Sequence, residues 1–306
     1  MTNEPMRGDP ANDGYLWDRT GAPDPEIEDL EKLLAPLRYR APQQRGRPKL
    51  WWVAGIAAAA GLAAILLWPQ SPESDWFVGG KALRLSEEVA PQAETVLEAS
   101  AAGRVTLDGG SQLKIIGPRQ FSLKQGTLHA LIWAPPGEFI VDTPAAKAID
   151  LGCQYTLQVD KTGVGLLTVE TGWVAFQSEG RESFIPAGAA CRTHPRSGPG
   201  IPFVQSASST LQEAIEAFDQ GDKSALSRVI SATGREDGVT LWHLLTRTQG
   251  EERGRVYDRL AQFAKMPLRT DVVRGDAKSL DAAWDALGYG NTEWWRTWKH
   301  SWKPAK

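Results

Sequence analysis

Apolar and polar positions along the chain change texture several times. Over residues 24–37, Ile27, Leu30, Leu33, Leu34 and Leu37 recur at helical spacing and form one stripe. Asp24 stands as the N-cap, Pro25 takes the first helical position, and Glu26, Glu28 and Asp29 sit near the positive end of the dipole; Pro36 limits the length. Leu50 to Trp68 is an uncharged apolar run between Lys49 and Pro69. At about 1.5 Å per helical residue it measures about 30 Å, the thickness of a bilayer's hydrocarbon core. The run predicts a single membrane span over 50–68, with Trp51 and Trp52 at one headgroup level and Trp68 at the other.

Beyond a connector at 69–94 the pattern turns to short β-type runs separated by Gly, Pro and Asp. Arg104–Leu107, Gln112–Ile116, Gln120–Leu123, Thr127–Trp133, Phe139–Asp142, Tyr155–Val159, Leu166–Glu170 and Trp173–Phe176 are such runs. Their spacing predicts a β-sandwich or roll over 95–193. Gly152 and Gly172 fall between runs, where a turn, and at Gly172 a hairpin, is expected. Residues 194–207 have the composition of a linker.

Residues 208–306 then read as all helix, over approximately 209–220, 223–233, 238–248, 251–265, 278–287 and 291–302. Leu241, Leu244 and Leu245 face Val256, Leu260 and Phe263 as a helical hairpin would. Trp294, Trp298 and Trp302 recur every four residues, with Arg296, Lys299 and Lys303 on other faces.

Charge orients the chain. Arg38, Arg40, Arg45, Arg47 and Lys49 precede the apolar run with no acid among them, and the first charges after it are Glu73 and Asp75. The positive-inside rule therefore puts 1–49 in the cytoplasm and exports the remainder, as an uncleaved signal anchor. The expected fold class is a membrane-anchored, mainly β exported domain followed by an all-α C-terminal region. A formal net charge of −3 gives no reason to expect nucleic acid as a partner. The helix over 24–37 is too short to stand alone in water. Its acids disfavour a lipid surface and favour a protein partner with a basic face.

The two cysteines, Cys153 and Cys191, both lie on the exported side. There they either form a disulfide or stay as two buried thiols. His129, His194, His243 and His300 fall in no catalytic or metal pattern, and Cys191 with His194 makes only half a zinc motif. No cofactor and no enzymatic activity are expected.

Four stretches carry a resemblance. They are Arg119 to Leu131, Pro136 to Thr143, Ala148 to Leu157 and Leu167 to Ala175. In that order they resemble the FecR domain, with its Phe-x-Val-x-Thr strand, Leu-Gly-Thr-x-Phe turn and Val-x-x-Gly-x-Val hairpin. Cys153 stands where the family commonly has Thr, and Tyr155 where it has Phe. The resemblance implies a single-pass regulator that relays an envelope signal to a sigma factor of the extracytoplasmic-function class. The helix over 24–37 would be its cytoplasmic contact and an envelope protein a further partner. The alternative from the same residues is a non-catalytic scaffold that anchors a β domain to the inner membrane.

Overall fold

The computed structural model describes residues 73–289 and, ahead of them, Lys32 alone. The tail stripe Ile27–Leu37, the apolar run with Trp51, Trp52 and Trp68, and the Trp-rich stretch 291–302 lie outside the described residues. Among the described residues no helix is long and apolar enough to cross a membrane.

Residues 73–289 hold a mainly antiparallel β domain followed by helices. The first strands are β1 (Glu73–Val78), β2 (Lys81–Arg84), β3 (Glu88–Val89), β4 (Thr95–Ala99), β5 (Gly103–Leu107), β6 (Gln112–Gly117), β7 (Gln120–Ile132) and β8 (Ile140–Asp142). Then come β9 (Lys147–Asp150), β10 (Gln154–Val159), β11 (Gly165–Thr171), β12 (Trp173–Ser178), β13 (Arg181–Pro186), β14 (Ala189–His194), β15 (Gly198–Pro199) and β16 (Phe203–Val204). The helices are α1 (Ser209–Asp219), α2 (Ala225–Ala232), α3 (Gly238–Arg247), α4 (Gly250–Leu260), α5 (Arg269–Arg274) and α6 (Ala277–Ala286).

One long strand joins two sheets. The second half of β7 pairs with β5 and β10, in a sheet that runs on through β11 to β14 on one side and through β4 to β1 on the other. Its first half pairs with β6 and, in parallel, with β8, in a sheet that continues through β9 and β12 to β13. Strand β7 changes sheet where Gly126 has φ +103° and Ser111 lies so close that a Cβ would overlap it. Gln120–Leu123 and Thr127–Trp133, two runs by sequence, are therefore one bent strand.

The inward residues of both sheets make a common core, with Leu97, Val105, Leu128 and Tyr155 from the first and Ile115, Phe121, Val141 and Phe176 from the second. Trp76 closes one end of it, its ring 4.9 Å from Phe121 and 5.7 Å from Phe139.

The glycine corners correct one expectation. Strands β11 and β12 flank Gly172 but do not pair with each other: β11 lies between β10 and β14, β12 between β9 and β13. Gly172 (φ +73°) is thus a corner between the sheets, and so is Gly152 (φ +84°) between β9 and β10. The corners touch, since a Cβ on Gly172 would lie 2.1 Å from the Gly152 carbonyl oxygen. A side chain there would part the two sheets.

The stretches expected as connector and linker are part of the sheets. Residues 69–94 contain β1, β2 and β3, and 194–207 contain β15 and β16, both paired with β14. These strands are short and rich in turn residues, so composition alone reads them as loop.

The helices are fused to the β domain. Val239 and Trp242 of α3 and Ala283 and Trp284 of α6 belong to the sandwich core, and Trp284 meets Phe184 of β13 edge to face at 5.3 Å. The opposite side of α3, with Leu241, Leu244 and Leu245, packs with Leu211, Ile215, Val229, Val256 and Leu260 in a second core. Helix α3 is thus buried on both faces, and its sequence hairpin partners are in place.

Two polar contacts fix this joint. Buried Arg247 donates to Asp219 (3.2 Å), Ser183 Oγ (2.6 Å) and the Gly200 carbonyl (2.9 Å). Asp219 in turn accepts from the Ile201 N–H at 2.7 Å. Buried His243 donates from Nδ1 to the Val239 carbonyl (2.8 Å), and its Nε2 accepts the Phe184 N–H (3.0 Å).

Burial, reinforced by the Arg247 charge, lowers the His243 pKa to about 3. Its folded pKa lies below the unfolded value, so the unfolded chain binds the extra proton and stability falls as pH drops from about 6.5 towards 3. Asp150, raised to about 6 by burial, has the opposite sign and loses stability as pH rises from about 4 through 6. Chemical denaturation across pH 3–7 should therefore show a steeper acid loss in Asp150→Asn than in the wild type, and a reversed slope in His243→Gln.

Candidate functional site

The residues singled out by sequence do not converge. Cys153 and Cys191 are both free and buried. Leu157 pairs with Leu167 and Leu167 with Cys191, which puts Cys191 two strand spacings, about 10 Å, from β10 at Leu157. Cys153 stands four residues further along β10's direction, about 13 Å on. A disulfide needs Cα atoms within about 7 Å, so the pairing expected as one alternative is not made.

Each thiol has its own place. Cys153 Sγ donates to the Asp150 carboxylate at the Gly152 corner, where the Gly152 N–H also donates to Asp150 at 2.7 Å. Burial, and then the Asp150 charge, push the Cys153 pKa well up. Tyr155, fully buried beside them, is raised by burial and by Asp150. Cys191 lies under the Arg247 joint, 3.3 Å from the Gly200 carbonyl, and burial raises its pKa to about 12. Thiols held protonated and out of solvent are poor nucleophiles and metal ligands.

The histidines are also apart. His129 is on the outer face of the first sheet, in a row from Asp108 (3.3 Å) through His129 to Thr156 (3.0 Å), and Thr156 reaches Glu170 at 3.4 Å. His194 meets Glu216 of α1 at 2.9 Å, and His243 is in the joint.

Among the described residues, that outer face gathers exposed apolar side chains. Six large hydrophobic side chains are exposed among the described residues, and Phe77, Val96, Leu131 and Trp133 stand on this face. Phe77, Val96 and Trp133 rim an open groove of about 840 Å³ with Gly79, Gly80, Gly103, Ser100 and Thr106 in its walls. Trp133 is half exposed yet fixed, because its indole N–H donates to the Ser100 carbonyl at 2.9 Å. Arg104 and Glu98, paired at 2.8 Å, cross the groove between Phe77 and Leu131. Gly79 and Gly80, both at positive φ, form the two-residue hairpin between β1 and β2 that borders it.

The alternation of β4 and β7 carries a signal of this groove. Val96 is apolar at an outward position, and Ala130–Trp133 are apolar on both parities.

The four FecR-resembling stretches fall on β7, β8, β9–β10 and β11–β12, in succession through both sheets. No family model matches the chain, and no curated protein matches it. Two crystal structures are similar to it, each of a candidate anti-sigma factor from Parabacteroides distasonis, at 1.65 and 2.50 Å resolution. Identity is 16% to each and the TM-scores are 0.35 and 0.36, over 44% and 45% of this chain and 65% and 66% of theirs. The chain thus spans just under two thirds of those structures, and a likeness this loose carries neither fold nor function across.

The thiol assignment is directly measurable. Mass spectrometry after denaturing alkylation without reductant should find both cysteines labelled. In native buffer the labelling of both should be limited by unfolding of the protein. A mass lower by two hydrogens would mean a disulfide.

Proposed function

We propose that the chain is a single-pass inner-membrane regulator that works by binding protein, with residues 1–49 as its cytoplasmic output to a sigma factor and the body over 73–289 as its exported input. The observation that supports this most is the succession of FecR-resembling stretches through β7 to β12, on a chain whose charge pattern around residues 50–68 predicts export of that part. Sheets and helices share their cores, so a ligand bound on one part of the body bears on all of it. Such a ligand shifts the output only by its different affinity for two states of the body. In the output state the stripe Ile27, Leu30, Leu33, Leu34 and Leu37 would lie in an apolar groove of the sigma factor, with the surrounding acids against basic residues.

The fixed, half-exposed Trp133 favours a second reading, a scaffold that holds an envelope partner and uses the tail for insertion only. The tail separates the two. Full-length chain purified from native membranes should carry a sigma factor, and Leu30→Asp/Leu34→Asp should lower that capture by about tenfold or more. Capture that is absent, or equal in both, would move the assignment to the scaffold.

A further inference from the structure

We propose that the outer face of the first sheet is a self-association surface, with a second copy of this chain seated on it across a two-fold axis that runs along the strands between β4 and β5. The proposal stands on the order of side chains across that face and does not depend on the regulatory reading.

Strand pairing puts one row across the face. Phe77 of β1 pairs with Glu98 of β4, Glu98 with Arg104 of β5, and Arg104 with Leu131 of β7. Directly opposed residues of neighbouring strands share a face, and all four are exposed. The row therefore reads apolar, acid, base, apolar over three strand spacings, about 14 Å. Half a turn about an axis between β4 and β5 reverses that order. A second copy laid on the face in this way sets its Arg104 against Glu98, its Glu98 against Arg104, and Phe77 against Leu131 on both flanks. The neighbouring row behaves alike, because Val96 pairs with Thr106 within the chain and the same axis exchanges them. Two sheets packed face to face keep their strands nearly aligned, as an axis along the strands requires.

The charges are placed for this contact. Arg104 Nε and Nη2 both bond to one oxygen, Glu98 Oε1, at 2.9 and 2.8 Å. Among the described residues Glu98 Oε2 and Arg104 Nη1 have no partner, so each member of the pair keeps a group for the second copy. An exposed pair of this kind adds little to the stability of one chain. Doubled across the axis it becomes a ring of four alternating charges between two apolar flanks. Trp133 lengthens the flank at Leu131: its indole N–H is held by the Ser100 carbonyl, so the ring offers apolar area alone. The contact is isologous and closes at two copies. An unrelated partner would have no use for a row that complements itself on reversal, which is what favours a second copy.

Sedimentation of the full-length chain in detergent tests this, with Glu98→Arg and Arg104→Glu as single variants. Wild type should be dimeric. Each single variant sets like charges across the axis and should weaken the dimer by about tenfold or more. An equimolar mixture of the two should recover dimers with one chain of each, captured through two different tags, although the pair within each chain stays like-charged. The swap Glu98→Arg/Arg104→Glu keeps the pair within the chain intact, and it should dimerise with itself but not with wild type. A monomeric wild type would overturn the proposal and leave the face to another partner. Single variants that dimerise as wild type does, or a swap variant that mixes freely with wild type, would overturn it as well.

Discussion

The joint between the sheets and the helices is built around one buried guanidinium. Arg247, at the end of α3, satisfies a carboxylate on α1, a hydroxyl on β13 and a carbonyl beside β15. A planar fork can meet three acceptors at once, which an ammonium does poorly. The cost is mutual dependence. Burial alone raises the Asp219 pKa and lowers that of Arg247, and each charge keeps the other ionised. Removing one partner leaves a buried charge without compensation, a loss of about 3–5 kcal/mol. Beside it, His243 accepts the buried Phe184 N–H.

This joint makes the helices a third layer of the sandwich. Trp242, Trp284 and Phe184 would otherwise expose a broad aromatic surface. The two sheets are tied at the other end by β7 and by the touching corners at Gly152 and Gly172. Among the described residues, Phe77, Val96, Leu131 and Trp133 gather as exposed apolar side chains on the outer face of the first sheet. Control by population shift, as proposed for this chain, requires a ligand with different affinities for two states of the body.

Much of the sheet was legible in the chain because alternation survives where one strand face meets a core. β5, β6, β10, β11 and β12 stand where the runs at 104–107, 112–116, 155–159, 166–170 and 173–176 predict them. Four of the helices lie within two residues of their predicted limits, α4 ends at Leu260 instead of 265, and α5, with six residues, is too short for periodicity to register. Pairing was not legible. The hairpin at Gly172 and the disulfide both depend on which strands are neighbours, and the crossing of β9–β10 and β11–β12 between sheets has no local signature. The Arg247 joint was invisible for a related reason. A lone arginine at a helix end looks like a dipole complement facing solvent until β15 is known to run beside it. Of the candidate site, the tail stripe and the span were read from the sequence alone. The exposed apolar row was not legible because Val96, Leu131 and Trp133 read as ordinary strand residues until their facing is known.

Native-state hydrogen exchange, resolved by peptide, tests most directly the claim that sheets and helices are one body. The amides of α3 and those of β10 and β11 should open with the same free energy, and Arg247→Met should lower both together by about 3 kcal/mol or more. If α3 opens at much lower free energy while β10 and β11 keep their full protection in the variant, the helices are a separate unit and the account of the joint is wrong.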